Sequence, residues 1–190
     1  NGQHAVKPGT AYPRSTGYVK KHGVLFDPER AKLMIRAIAH NRKAGEKVMI
    51  YFGQCDLKVG DFLRDHILAS EELGGSKIGI VTGAKRVTTR ADIFRQFNGT
   101  NLKDGEEELD IIICNRVARR GLNVKAIGMA VNYEPTDLRD AVVQGPIGRA
   151  CRLFGDSQDF VLIEFFDKGH KAMETVSKRR LSVYQDPETN

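Results

Sequence analysis

The feature that most constrains this chain is a regular alternation of short apolar runs with amphipathic helical patterns. Five apolar runs have the length of buried strands: Lys47–Phe52, Lys77–Thr82, Asp110–Cys114, Gly128–Tyr133 and Asp159–Phe166. Between most of them, apolar residues recur at the spacing of one helix face. Strands that alternate with helices over this length predict an α/β fold, a mainly parallel sheet with helices on both faces.

Helix starts and faces can also be read from the sequence. Asp27 and Pro28 predict an N-cap followed by proline at the first helical position, and Gly45 a stop. Thr89, with Asp92 three residues later, predicts the cap of a third helix, and Thr136 the start of another. The residues expected on the buried faces of the first three helices are Leu33, Met34, Ala37 and Ile38, then Val59, Phe62, Leu63 and Ile67, then Ile93, Phe94 and Phe97.

Three segments follow from these patterns. Residues 1–24 have no sustained period and many Gly, Pro and Lys residues, which is typical of a linker or irregular entry segment. Residues 25–167 form the α/β domain, and residues 168–190 a basic helix and tail. The apolar residues of the tail recur at loosely helical spacing. This favours a helix that packs on the sheet and has a solvated basic face, rather than an arm that binds nucleic acid. The residues concerned are Ala172, Val176 and Leu181 for packing, and Lys168, Lys171, Lys178, Arg179 and Arg180 for the basic face.

Composition limits the environment and the partners. No apolar run approaches the about 20 residues that cross a bilayer. The three cysteines are widely spaced and form no metal-binding pair, so we expect reduced thiols in an intracellular protein of the cytoplasm, nucleus or virion. The net charge is +6, and without the five acids of residues 104–110 the count is 30 bases against 19 acids, or +11. Such a surface suits a polyanionic partner, or is simply well solvated.

A complete catalytic site is absent from the sequence. There is no GxxxxGK[ST] loop, no GxGxxG after a strand, and no Ser-His-Asp or Cys-His set at a useful spacing. The chain by itself is therefore not expected to be an enzyme.

The most informative polar segment is Gly145–Arg152. Arg149 and Arg152 are three residues apart, so on a helical turn both guanidinium groups face one way and can bind a triphosphate. Gly148 allows a close backbone approach to the same ligand. Taken alone, the pair is better interpreted as two arginines on a solvated helix face.

Two further segments follow predicted strands, where ligands gather in open α/β sheets. After Asp110–Cys114, Asn115 and Arg116 can meet a phosphate backbone, while Gly121 and Asn123 can turn toward a nucleotide. Thr82 and Gly83 end the second run. The alternatives are a basic surface loop and a simple turn.

In this order and spacing, the segments resemble motifs IV to VI of the carboxy-terminal motor lobe of superfamily 2 helicases. Lys47–Gln54 resembles motif IV, Thr82–Phe97 motif IVa, Asn115–Val124 motif V and Gly148–Arg152 motif VI. The resemblance spans Phe26 to Phe166 and implies a RecA-like three-layer domain. Two stretches are similar to helicase-like proteins of large DNA viruses and Swi/Snf-type translocases: Phe97–Pro135, with Asn123 after Gly-Leu, and Val143–Arg152.

The resemblance implies roles for these residues in an ATP-dependent helicase or translocase. Arg149 and Arg152 would be the arginine fingers, with Gly121, Asn123 and Gly148 near the nucleotide. ATP and Mg²⁺ would be held mainly by an N-terminal RecA-like lobe that is not part of this chain. The residues that match contacts to the sugar-phosphate backbone, of DNA rather than RNA, are Gln54, Thr82, Gly83, Asn115 and Arg116.

Departures from the family pattern keep a second interpretation open. Gly145 stands where the family has Gln or His, Gln144 lies one position early, and Pro146 replaces a common arginine. Asn115 stands where motif V has serine or threonine. These changes favour a catalytically inactive RecA-like lobe that serves as a docking platform. A different doubly wound enzyme would instead require a small-molecule pocket at the strand ends.

Overall fold

The structure is a computed structural model that describes residues 21–53, 57–115, 127–133 and 160–185. Within these ranges, five strands form one sheet in the order β2-β3-β1-β4-β5, and every strand pair is parallel. The predicted parallel α/β sheet is confirmed. The strands are β1 (Lys47–Tyr51), β2 (Ile78–Val81), β3 (Ile111–Cys114), β4 (Ile127–Asn132) and β5 (Val161–Glu164).

All five strands end at one edge of the sheet, which we call the carboxyl edge. The final residues of neighbouring strands are register partners across the whole sheet. In spatial order they are Val81, Cys114, Tyr51, Asn132 and Glu164. The residues that follow each strand therefore emerge side by side.

Four α-helices lie within the described residues: α1 (Pro28–Asn41), α2 (Leu57–Leu68), α3 (Val87–Phe97) and α4 (Lys171–Tyr184). The start of α1 is as predicted, because the Asp27 carboxylate accepts a hydrogen bond from the N–H of Glu29 at 3.0 Å and Pro28 follows. The predicted cap of α3 is wrong. The turn after β2 brings the chain into the helix at Val87, so Thr89 lies inside the first turn.

The sheet is buried on both faces, which explains why its strands read as continuous apolar runs. Alternate residues of the central strands pack on opposite sides, and the α1 and α2 side holds Val48, Ile50, Ile111 and Ile113. The α3 side holds Met49, Ile112 and the fully buried Phe97. The prediction that Phe97 belongs to the core is confirmed.

The prediction that Leu33 and Leu181 lie on buried helix faces is wrong. Leu33 of α1 is 56% exposed and Leu181 of α4 is 46% exposed. The buried face of α1 includes Arg30 beside Met34 and Ile38, and that of α4 is Met173, Ser177 and Arg180. Helix α4 thus packs on the domain, as predicted, but Arg180 is not part of its solvated basic face. None of the helices described is both long and apolar enough to span a membrane.

The acidic segment 104–110 lies at the opposite, amino edge of the sheet, where it neutralises basic residues. Glu106 pairs with Arg95 at 2.6 Å, Glu107 with Lys77 at 2.9 Å and Asp110 with Arg42 at 3.2 Å. Glu108 pairs with Lys47. Subtracting these acids from the charge count therefore overstates the free positive charge, because four bases are already paired with them.

Glu106 makes a pH-dependent contribution to the stability of the fold, and this contribution can be measured. Hydrogen bonds from Arg95 and from the N–H of Lys103 lower the pKa of Glu106 to about 2. A carboxylate whose pKa falls on folding stabilises the fold above its unfolded pKa, near 4.3, and this contribution disappears as the pH drops toward 2. We expect Glu106→Gln to lower the urea midpoint at pH 7, and the difference from wild type to shrink steadily between pH 5 and pH 2.5.

The matched control is Glu107→Gln, an exposed member of the same segment that pairs with the exposed Lys77. We expect this variant to unfold near the wild-type midpoint at every pH. Circular dichroism is the suitable signal, because the chain contains no tryptophan. A Glu106→Gln difference that is constant from pH 7 to pH 2.5 would contradict the pKa assignment.

Candidate functional site at the carboxyl edge of the sheet

Two buried polar side chains follow neighbouring strands at the carboxyl edge. Thr82 comes directly after β2 and is 4% exposed, and Asn115 comes directly after β3 and is 5% exposed. The N–H of Asn115 donates to the carbonyl oxygen of Val81 at 3.2 Å, which holds the two strand ends together. The structure therefore brings the predicted residues Thr82, Gly83 and Asn115 to adjacent positions.

The end of β1 adjoins the same place. The N–H of Phe52 donates to the carbonyl oxygen of Cys114 at 3.0 Å, and Gly53 then adopts a φ of +67°. Only glycine takes up this left-handed conformation without strain, so Gly53 determines how the chain leaves the strand. Sequence reasoning missed Gly53, although a glycine directly after a buried strand was a usable signal.

Basic side chains follow the Thr82-Gly83 turn. Lys85 and Arg90 are partly exposed and Arg86 is exposed. Among the described residues, no carboxylate forms an ion pair with any of these three, in contrast to the paired bases of the amino edge. An open groove of about 330 Å³ lies beside Thr82 and Lys85. The carboxyl edge near β2 can therefore attract a polyanion.

The other half of the carboxyl edge holds a buried ionic network that sequence reasoning missed. Nε and Nη2 of Arg30 donate to the carbonyl oxygen of Tyr133 at 3.2 and 2.9 Å, and Nη1 pairs with Asp167. The guanidinium carbon lies 4.1 Å from the Phe165 ring centre. Burial raises the pKa of the Tyr133 hydroxyl, so this side chain stays neutral.

Helix α4 extends this network. Nε of Arg180 donates to Glu164 at 3.0 Å, and Nη2 donates to the carbonyl oxygen of Phe165 at 2.6 Å. The side-chain amide of Asn132 donates to the other oxygen of Glu164 at 2.6 Å. A signal for both arginines was available, since Arg30 stands four residues before Met34, and Arg180 three after Ser177, on buried helix faces.

The remaining predicted site residues lie outside the described residues. These are Gln54, Arg116, Gly121, Asn123, Gly148, Arg149 and Arg152, and the predicted helix at Thr136 lies there too. The nucleotide-facing positions and the arginine fingers therefore stay predictions from the sequence.

Cys114 is the cysteine within the described residues. Its thiol is fully buried at the end of β3, and burial raises its pKa to about 12. The group therefore remains a protonated thiol at neutral pH and packs as a small apolar side chain. Cys55 and Cys151 lie outside the described residues.

Comparison with known proteins gives one family match, to the helicase conserved C-terminal domain over residues 29–154. The ATP-dependent RNA helicase RhlB of Shewanella amazonensis is 34% identical over 88 residues, which is 45% of this chain and 18% of that protein. The DEAD-box ATP-dependent RNA helicase CshB of Bacillus subtilis is 29% identical over 104 residues, 55% of this chain and 22% of that protein. The matches thus span less than a quarter of either relative.

Solved structures show the same fold. The C-terminal domain of the DEAD-box protein Dbp5 superposes with a TM-score of 0.59 at 16% identity, covering 84% of this chain and 78% of that domain. The RecA-like α/β fold expected from the sequence is confirmed. The curated relatives are DEAD-box or RNA helicases by name, so a specific closeness to viral or Swi/Snf-type proteins stays a prediction from the sequence.

Proposed function

This chain belongs to the family of helicase conserved C-terminal domains, and from that premise we propose that it is the C-terminal motor lobe of an ATP-dependent nucleic-acid helicase or translocase. The observation that carries the proposal is the placement of Thr82 and Asn115 at the ends of adjacent strands. These positions match family contacts to the sugar-phosphate backbone, and ligands of open parallel sheets bind at this edge.

The charge distribution supports a polyanion at the same edge. Acids and bases neutralise one another at the amino edge. By contrast, Lys85 lines a groove with Thr82, and Arg86 and Arg90 follow in the sequence; among the residues described, none of these three bases has an ion-pair partner. Backbone-directed contacts of this kind give binding that is independent of sequence and weakens with salt. Gln54 and Arg116 complete the proposed backbone-binding set.

The proposed role in ATP hydrolysis belongs to residues that the structure does not describe. ATP with Mg²⁺ would be held mainly by a second RecA-like lobe and would supply the phosphoryl group. Arg149 and Arg152 would stabilise the charge that develops on that group during its transfer to water. Gly121, Asn123 and Gly148 would line the nucleotide. Closure and opening of the two lobes would then alternate the grip on the nucleic-acid backbone.

The nucleic acid is the finer part of the proposal. Both curated relatives described above are named RNA helicases, which favours RNA. The resemblance of residues 97–135 and 143–152 to viral and Swi/Snf-type proteins favours DNA. We propose RNA as the substrate, because the named relatives are 34% and 29% identical over 88 and 104 aligned residues, whereas the finer resemblance is one of motif pattern.

A second candidate function is a docking platform without ATPase activity. The observation that favours it is the altered sequence before Gly148, where Gly145 replaces Gln or His and Pro146 replaces arginine. Such a lobe would keep the carboxyl-edge contacts to nucleic acid. It would not need arginines aimed at a nucleotide.

The test is the ATPase rate of the whole protein that contains this chain, with single-stranded RNA, duplex RNA, single-stranded DNA and duplex DNA. We expect RNA to stimulate turnover most, and we expect the stimulation to weaken as salt rises. The isolated 190 residues are the control and should not hydrolyse ATP. Salt-sensitive binding without any ATPase would support the platform instead, and stimulation by DNA alone would reverse the choice of substrate.

A further inference from the structure

An open groove lies between helix α2 and strand β2, which is at the edge of the described sheet. Ile78, Ile80 and Thr82 alternate along β2 and its continuation, so their side chains share one face. Together with Ala84 they line the groove, whose volume is about 330 Å³. The strand side of the groove is therefore mainly apolar, and it reaches the carboxyl edge at Thr82.

The helix side of the groove carries an arginine that is already paired. Nε and Nη2 of Arg64 donate to one carboxylate oxygen of Asp65 at 3.0 and 2.9 Å, and Nη1 pairs with Asp61 at 3.0 Å. Two carboxylates thus surround one guanidinium, and their combined charge is negative, which repels a phosphate. The Arg64 side chain is nevertheless 38% exposed. Because much of its edge is bound to carboxylates, the flat face of the guanidinium is what it can offer a ligand.

Lys85 gives the groove a cation of the opposite kind. Its N–H donates to the carbonyl oxygen of Thr82 at 3.2 Å, which holds it at the carboxyl edge, and it lines the same groove. Within the described part of the chain, no carboxylate pairs with Lys85. A phosphate group is therefore attracted to Lys85 and not to Arg64.

We propose that this groove is a nucleobase subsite, in which one base of a single-stranded RNA stacks on the Arg64 guanidinium while a neighbouring phosphate binds Lys85. Guanidinium planes are stacking partners of unpaired bases, and apolar side chains can cover the rest of the ring. A volume of about 330 Å³ is at the lower end of the range for ligand pockets, about 300–1,000 Å³, and suits one base. This inference rests on the proposed function.

Continuity with the carboxyl edge favours a base that belongs to a bound strand. Thr82 lines the groove and also matches a family contact to the sugar-phosphate backbone, so a strand held at this edge passes the groove. The ion pairs of Arg64 are not explained by stability, since exposed pairs on one helix contribute little. A base contact would add to backbone contacts, which by themselves carry no sequence information.

The test measures binding of two short, end-labelled strands of equal length to the whole protein that contains this chain. One strand is oligoadenylate RNA, and the other is an abasic ribose-phosphate strand. We expect Arg64→Lys to weaken binding of oligoadenylate about 10-fold, because lysine keeps the charge but has no planar face on which a base can stack. Binding of the abasic strand should not change. Fluorescence anisotropy measures both affinities.

Lys85→Met should give the complementary result. It should weaken binding of both strands equally and lower the slope of log Kd against log salt concentration by about 1, because one phosphate contact is lost. Arg64→Lys should leave that slope unchanged. The matched control is Arg36→Lys, at an exposed arginine of α1, which should bind both strands like wild type. Circular dichroism checks that all variants are folded.

The outcomes distinguish this inference from the proposed function. If Arg64→Lys binds oligoadenylate as tightly as wild type does, the inference is wrong, while salt-sensitive binding of both strands leaves the proposed function standing. Equal weakening of both strands by Arg64→Lys would also overturn the inference, because Arg64 would then contact the backbone and not a base. If the wild-type protein binds neither strand, the proposed function fails together with the inference.

Discussion

Arg149→Ala and Arg152→Ala should each lower the nucleic-acid-stimulated ATPase rate of the whole protein by about 10³-fold or more, because arginines of this kind contribute about 10³–10⁵ in rate in phosphoryl transfer. Each variant would lack one guanidinium group, a bidentate donor that stabilises the charge developing on the transferring phosphoryl group. The loss should appear in kcat, with binding of RNA retained. Steady-state turnover with saturating RNA measures it.

The matched control is Arg36→Ala, which removes an exposed arginine of α1. It should leave turnover unchanged, and all three variants should keep the wild-type circular dichroism spectrum. Near-normal turnover in both Arg149→Ala and Arg152→Ala would remove the arginine-finger assignment and favour the docking platform. Loss of folding in these variants would show a structural role instead.

The second large effect concerns stability. Asp167 is 11% exposed and lies between two buried arginines, paired with Arg30 and 4.0 Å from Arg180. Removing one partner of such a group leaves uncompensated charge in the interior, which typically lowers the free energy of unfolding by about 3–5 kcal/mol. We therefore expect Asp167→Ala to unfold at markedly lower urea, as followed by circular dichroism.

Glu174→Ala is the control for that measurement. Glu174 is an acid of α4 that pairs with the exposed Lys178 one helical turn away, at 2.7 Å. Surface pairs of this kind contribute little, so the variant should unfold close to wild type. If the urea midpoint of Asp167→Ala fell only as little as that of Glu174→Ala, the expectation would be contradicted, and water or another group would have to replace the carboxylate.

The residues behind these two effects were identified in different ways. Arg149 and Arg152 are assigned by sequence order and spacing, whereas Asp167 and Arg30 are recognised by what surrounds them.

The sequence by itself determined the fold class, the strand positions and the edge where polar residues gather. These are local properties: a strand buried on both faces must be apolar throughout, and residues after parallel strands must share one edge. Thr82 and Asn115 could be placed there for that reason. The start of α3 and the exposure of Leu33 were misjudged, because caps and face boundaries depend on the turn and the neighbours that each helix meets.

Only the tertiary structure decided the strand order, the pairing of the acidic segment and the buried network. Arg30 meets the Tyr133 carbonyl oxygen across 103 positions of sequence, and Asp167 across 137. The spacing of residues within one helix cannot identify a partner that is so distant in the sequence. A charged residue on an apolar helix face therefore remains unexplained until the structure shows its partner. The fold supplies that partner by bringing the first helix and the last strand together at one edge of the sheet.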